Sequence, residues 1–153
     1  MSRPNKMRVG VFDSGVGGLS VVKSLLEHKL FEEIIYFGDT ARVPYGVKDP
    51  NTIIRYSLEA IEFFKNFEID LLITACNTVS AYALDEMRLH SNCDVIGVVD
   101  PGVLALKNAV PSTQADILIL GTKATVKSGA YEKGLNLLGY ERLTAKATGL
   151  LVP

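Results

Sequence analysis

The sequence predicts an α/β fold: a parallel sheet with helices on both faces. Three observations carry this. Short runs that are apolar throughout recur along the 153 residues, amphipathic segments alternate with them, and polar residues collect just past the carboxyl ends of the runs. A strand buried on both faces reads as a continuous apolar run, and the helix between parallel neighbours returns the chain to the starting edge.

Arg8-Val9-Gly10-Val11-Phe12 predicts the first strand, stopping at Asp13. From Val16 to His28, Val21, Val22, Leu25 and Leu26 recur on one helix face. Ile34-Ile35-Tyr36-Phe37 predicts a second strand ending at Gly38-Asp39, and Thr40 to Lys48, punctuated by Pro44 and Gly46, an irregular loop. Asp49-Pro50 opens a helix well. The carboxylate can accept from first-turn N–H groups, and proline suits a position that needs no donor. The expected buried stripe of that helix is Ile53, Ile54, Leu58, Ile61 and Phe64.

Leu71 to Ala75 predicts a third strand, followed by Cys76-Asn77-Thr78 and one helix to about His90. Asp94 to Val99 predicts a fourth, ended by Asp100-Pro101-Gly102, with a short helix around Val103 to Ala109. Asp116 to Leu120 predicts a fifth, ended by Gly121-Thr122. A helix carrying Tyr131, Leu135 and Leu138 then stops at Gly139, a glycine one residue past the cap. Leu143 to Ala147 predicts a sixth strand. Pro101-Gly102, stiff and then permissive, marks the expected domain boundary: 1–99 is most of a first α/β domain, and 100–153 begins a second.

Composition excludes several function classes. With 48% hydrophobic and 22% charged residues the chain is globular in character, and at net charge −1, without a Lys/Arg stripe, nucleic acid is not its expected partner. Apolar stretches such as Leu71-Leu72-Ile73 are too short to span a bilayer, so no membrane partner is expected. The polar start Met1-Ser2-Arg3-Pro4-Asn5-Lys6 is neither a signal nor a transit peptide, so the expected location is the cytoplasm. Two cysteines, Cys76 and Cys93, without a CxxC or Cys/His cluster, give no expected metal site and no expected disulfide.

Five strand ends carry the candidate chemistry: Asp13-Ser14, Asp39-Thr40, Cys76-Asn77-Thr78, Asp100 and Thr122. In an open parallel sheet these ends share one edge, where ligands bind. Each polar residue could instead simply cap the helix that follows, which does not account for a cysteine at the third position. Asp13-Ser14-Gly15-Val16-Gly17-Gly18 could turn N–H groups toward a phosphate or a carboxylate, but matches neither nucleotide-binding glycine pattern. Cys76 precedes a helix N-terminus, whose dipole favours a thiolate and is expected to lower its pKa. The competing reading is a small buried apolar residue. Cys93, at the opposite end of the sheet, reads as incidental.

Four ordered motifs carry a resemblance that runs from about Arg8 to Pro153. Val11-Phe12-Asp13-Ser14-Gly15-Val16-Gly17-Gly18-Leu19-Ser20 resembles the opening of glutamate racemases, of the aspartate/glutamate racemase superfamily. Tyr36-Phe37-Gly38-Asp39-Thr40-Ala41-Arg42-Val43-Pro44-Tyr45-Gly46 resembles their second signature. Ala75-Cys76-Asn77-Thr78 resembles the first catalytic cysteine motif, and Leu120-Gly121-Thr122-Lys123-Ala124-Thr125 a fourth.

The resemblance implies a pseudo-symmetric two-domain racemase that interconverts L- and D-glutamate by two-cysteine proton transfer, without cofactor or metal, and supplies D-glutamate for peptidoglycan. It implies Cys76 as the base on one face of Cα, and Asp13 as substrate contact and assistant in proton transfer. Ser14, Tyr45, Gly46, Asn77 and Thr78 are implied substrate contacts, and Thr122 and Thr125 weaker ones. The family's second cysteine lies in a Gly-Cys-Thr-His motif of its C-terminal half, and these residues contain no such motif.

In the family, the stretch at Leu151-Val152-Pro153 runs on into a helix with another functional acid, and a C-terminal segment returns to the first domain. The implied parentage is therefore an N-terminal portion (a truncated gene product, a partial sequence or an engineered piece), inactive as a racemase by itself. A homodimer of the longer protein, and gyrase binding by analogy with some family members, are compatible with the resemblance. The remaining alternatives are an aspartate racemase or related isomerase, and a non-catalytic partner-binding fragment.

Overall fold

The structure is a computed structural model describing residues 7–149. The polar N-terminus and Leu151-Val152-Pro153 lie outside the described residues. The chain runs β1 (Arg8–Asp13), α1 (Leu19–His28), β2 (Glu33–Gly38), a 3-10 turn (Tyr45–Val47), α2 (Pro50–Phe64), β3 (Leu71–Thr74), α3 (Asn77–Tyr82), α4 (Leu84–His90) and β4 (Asp94–Gly97). It continues through α5 (Val99–Ala109), β5 (Ile117–Gly121), α6 (Lys123–Ser128), α7 (Ala130–Leu137) and β6 (Leu143–Ala147). All six expected strands form.

They form two sheets. One is four-stranded, in the order β2-β1-β3-β4, and the other pairs β5 with β6; every pairing is parallel. The order of the first sheet reverses beside β1, since the chain goes to β2 on one side and then returns to β3 on the other. Crevices at the carboxyl ends of an α/β sheet open at such a reversal, and here it lies between the loops after Asp13 and after Thr74.

Alternation along β1 serves two cores. Val9 and Val11 pack with Ile73 on one face under Val21, Val22 and Leu25 of α1. Phe12 faces the other way, into a larger cluster with Ile53, Phe64, Leu72, Val79, Met87 and Val95. Gly10 is small because a Cβ there would stand 2.8 Å from the Phe64 ring. In α2 the cap at Asp49 forms as expected, its carboxylate accepting from Thr52 N–H at 3.0 Å. The buried stripe is Ile53, Ser57, Ala60, Ile61 and Phe64, so Ser57 takes the place expected for Leu58. Its hydroxyl donates to the Ile53 carbonyl at 2.8 Å, which makes a buried serine tolerable.

Three boundaries differ from expectation. Asp100-Pro101-Gly102 lies inside α5 rather than in a break. Pro101 falls in the first turn, where backbone N–H groups have no helical acceptor, so proline costs nothing there. The helix after Cys76 is broken at Ala83, and the helix before Gly139 is broken at Gly129, whose φ is +65°. Gly139, at φ +90°, ends α7 as expected.

Among the described residues the second sheet is covered on one face only. Val99, Val103, Leu135 and Tyr140 pack with Ile117 and Ile119, whereas Leu118 and Leu120 are 57% and 54% exposed.

Candidate active site

The carboxyl rim of the first sheet and β5 line an open cavity of about 1070 Å³. Asp13, Ser14, Tyr45, Gly46, Cys76, Asn77, Thr78, Thr122 and Thr125 all line it, so every site residue expected from the sequence meets in one place. Of the five strand ends, Asp39 and Asp100 do not line it. Asp39 is turned into the protein, and Asp100 is exposed on the first turn of α5.

The loop after β1 is shaped by close approach. Gly18 packs on Asp13, where a Cβ would stand 2.7 Å from the Asp13 Cβ and 3.0 Å from that of Ala75. Asp13 is buried, and its Oδ2 accepts from Gly15 N–H at 3.0 Å. That donor is therefore held by Asp13 rather than offered to an external anion. Tyr36 donates its hydroxyl to the Gly15 carbonyl at 2.8 Å from below. Burial, with the Asp13 and Cys76 charges, pushes the Tyr36 pKa up to about 12.

Cys76 is the residue before α3, with extended backbone. Its side chain is 7% exposed, and its Sγ–H donates to Ser14 Oγ at 3.3 Å. The sequence led us to expect a lowered thiol pKa, and the structure reverses the direction. Burial dominates and raises it, and the Asp13 carboxylate adds to the rise. Ser14 and the Val79 and Thr78 N–H groups of the helix N-terminus pull the other way and are outweighed. The dipole acts as expected, but loss of water around the charged form is the larger effect. The resting residue is thus a thiol, and once ionised it is a strong base.

Thr78, Thr122 and Thr125 form a triangle of hydroxyls, with Thr78 3.1 Å from each of the others and those two 3.0 Å apart. Thr78 opens α3 on the first sheet, while Thr122 caps α6 through Thr125 N–H at 3.2 Å. The triangle thus joins the two sheets. Gly46 packs directly on Thr122, where a Cβ would come within 2.4 Å of the threonine Cβ.

Tyr45 belongs to the core as much as to the cavity: it is 1% exposed and donates its hydroxyl to Asp39 Oδ2 at 2.5 Å. Arg42 joins the same carboxylate through Nε at 2.6 Å, pairs with Glu59, and lies 4.0 Å over the Tyr56 ring. This network fixes the 3-10 turn that carries Gly46.

Sequence reading missed Tyr131. It appeared there only as part of a helix stripe, yet it lines the cavity and donates to Asn77 Oδ1 at 2.6 Å. Periodicity carries no signal for a contact made across 54 residues. Among the described residues no group of three or more His, Cys, Asp or Glu side chains could hold a metal ion, and no helix is long and apolar enough to cross a membrane.

A thiol and a carboxylate share one rim, ringed by short hydroxyl and amide groups, a set able to exchange protons with and hydrogen-bond a small polar molecule. Residues 18–151 match the Asp/Glu/Hydantoin racemase family, and the chain belongs to that family. The particular relatives are glutamate racemases. That of a Nitratiruptor species is 67% identical over 147 residues, 96% of this chain and 58% of the relative. The structure of the Campylobacter jejuni subsp. jejuni glutamate racemase matches with a TM-score of 0.92 at 59% identity, over 94% of this chain and 58% of that one. The glutamate racemase of Francisella tularensis, solved in complex with D-glutamate, matches at 0.84 and 35% identity, over 95% and 54%. The chain thus spans little more than half the length of the relatives it matches.

Proposed function

We propose that this chain supplies one face of a cofactor-independent glutamate racemase site, acting in the cytoplasm in the formation of D-glutamate for peptidoglycan. Residues 1–99 are most of its first α/β domain and 100–153 the beginning of its second. The observation that carries the reading is the position of Cys76. It is a buried thiol at the reversal point of the sheet, bonded to Ser14 and open to the cavity.

In this reading Cys76 as thiolate takes the proton from Cα of glutamate and as thiol returns it, and Asp13 assists. Ser14, Asn77, Thr78 and the Tyr45-Gly46 turn bind the amino acid, with Thr122 and Thr125 beside them. The Cα proton is weakly acidic, so the thiolate must be held within hydrogen-bond reach of it, which the place of Cys76 on the cavity wall allows. Inversion requires a second group on the opposite face of Cα. Cys93 cannot serve, because it precedes β4 and so lies at the amino end of the sheet, away from the cavity.

The test is α-proton exchange in D₂O with each glutamate enantiomer, followed by NMR beside chiral analysis of the product. The 153-residue chain should exchange slowly, with retention of configuration, and Cys76→Ala should not exchange. Lacking one of two bases costs about 10²–10⁴ in rate. Racemisation within about tenfold of a full-length relative would overturn the one-sided assignment. Exchange with aspartate but not glutamate would favour the related racemase activity, and no exchange with either would favour a binding module.

A further inference from the structure

We infer that Tyr131 is a positioning residue that fixes which end of the Asn77 carboxamide faces the substrate. The inference rests on reading Asn77 as a contact to an anionic amino acid. A carboxamide has two ends of nearly equal size and opposite character: Oδ1 accepts and Nδ2 donates. Beside an anionic ligand the wrong end repels, so something must set the orientation.

The Tyr131 hydroxyl lies 2.6 Å from Asn77 Oδ1, and among the described residues it has no other hydrogen-bond partner. Were the carboxamide reversed, Nδ2–H would have to donate to the phenolic oxygen, and 2.6 Å suits an O–H···O bond while falling short of the usual N–H···O range. With Oδ1 occupied by Tyr131, the two Nδ2 protons are what Asn77 can offer the cavity.

The tyrosine is itself held. A Cβ on Gly102 of α5 would stand 3.1 Å from both the ring and the hydroxyl, so the ring lies flush against the helix backbone. Gly134, one turn along α7, approaches Val103 so closely that a Cβ would be 2.9 Å from its methyl. The close packing of α5 on α7 leaves the ring little room to swing. Asn77 directly follows Cys76, so the element that orients it belongs to the second sheet while the thiol belongs to the first.

The experiment uses the 153-residue chain as Tyr131→Phe, Asn77→Ala and the double variant, with two readouts. The first is glutamate-dependent exchange. Tyr131→Phe keeps the ring and should raise the half-saturating glutamate concentration about tenfold, the worth of one oriented hydrogen bond. The rate at saturation should change less than about threefold. In the Asn77→Ala background the same change should have no effect, which a purely structural role for the ring would not produce.

The second readout needs no substrate: the NMR signals of the Asn77 side-chain NH₂ group should shift toward free-amide values in Tyr131→Phe while the backbone spectrum is retained. If the parent chain neither binds nor exchanges glutamate, the function reading falls and the amide signals alone decide the positioning. Unmoved Asn77 amide signals in Tyr131→Phe, or equal losses in both backgrounds, would overturn the inference.

Discussion

At Cys76 a helix N-terminus and a dry pocket act on the same sulfur in opposite directions, and the pocket prevails. The sequence showed the first influence, because the order of strand, cysteine and helix is local. The second depends on how Ser14, Asp13 and the Tyr45 turn close around the thiol, which no spacing reports. The practical consequence is an order of reaction. Cys93 is half-buried beside Ser91, whereas Cys76 is buried and held protonated. We expect iodoacetamide at neutral pH to label Cys93 first, with Cys76 following only as pH rises; mass spectrometry of timed samples decides it. Tyr36 gives a second alkaline test. Its pKa is raised from 10.0 to about 12, so above pH 10 the unfolded chain releases a phenolic proton that the native state retains. Its contribution is whole below pH 10 and is lost as pH climbs toward 12. Tyr36→Phe should therefore flatten the fall of stability in that window, measured by urea unfolding at stepped pH.

Among the elements, the 3-10 turn Tyr45–Val47 shows how a site wall is made from a loop. Asp39 anchors it from below through Tyr45, and Gly46 seats it against Thr122. Gly46→Ala must push α6 away or distort the turn, and should cost about 1–3 kcal/mol, as overpacking does. A lower urea midpoint at unchanged slope would register it. The α2 cap is simpler: Asp49→Ala removes the acceptor of the Thr52 N–H and should lower the urea midpoint at unchanged slope.

These two elements also mark what sequence could disclose. Asp49-Pro50 announces its helix because both residues act within one turn, and the six strands were legible because burial on two faces leaves continuous apolar runs. The break at Ala83 has no proline or glycine to announce it. The early start of α5 was hidden because proline reads as a stop unless it is known to stand in a first turn. Asp39 looked like a rim carboxylate, and only the partners Tyr45 and Arg42 reveal that it points inward.

For the molecule as a whole, the two sheets differ in how they are covered. The first carries helices on both faces, whereas β5 leaves Leu118 and Leu120 half-exposed on the wall of the cavity. Leu118→Ser combined with Leu120→Ser should reduce binding of an apolar fluorescent dye and raise solubility, because neither side chain supports the core beneath. A drop in thermal midpoint as large as that of a core truncation would show that this face is packed after all. Between the sheets stands the threonine triangle, and its arithmetic has a consequence. Three hydroxyls carry three protons, and at 3.0–3.1 Å each can give one bond to the next, closing a ring in which every proton is spent while Thr78 and Thr125 can still accept; the second lone pair of Thr122 takes the Thr125 N–H. A ligand that donates to Thr78 leaves that ring closed, whereas one that accepts from Thr78 takes a proton the ring is using. The join between the two sheets is thus indifferent to a hydrogen-bond donor placed beside Thr78 and gives up one bond to an acceptor.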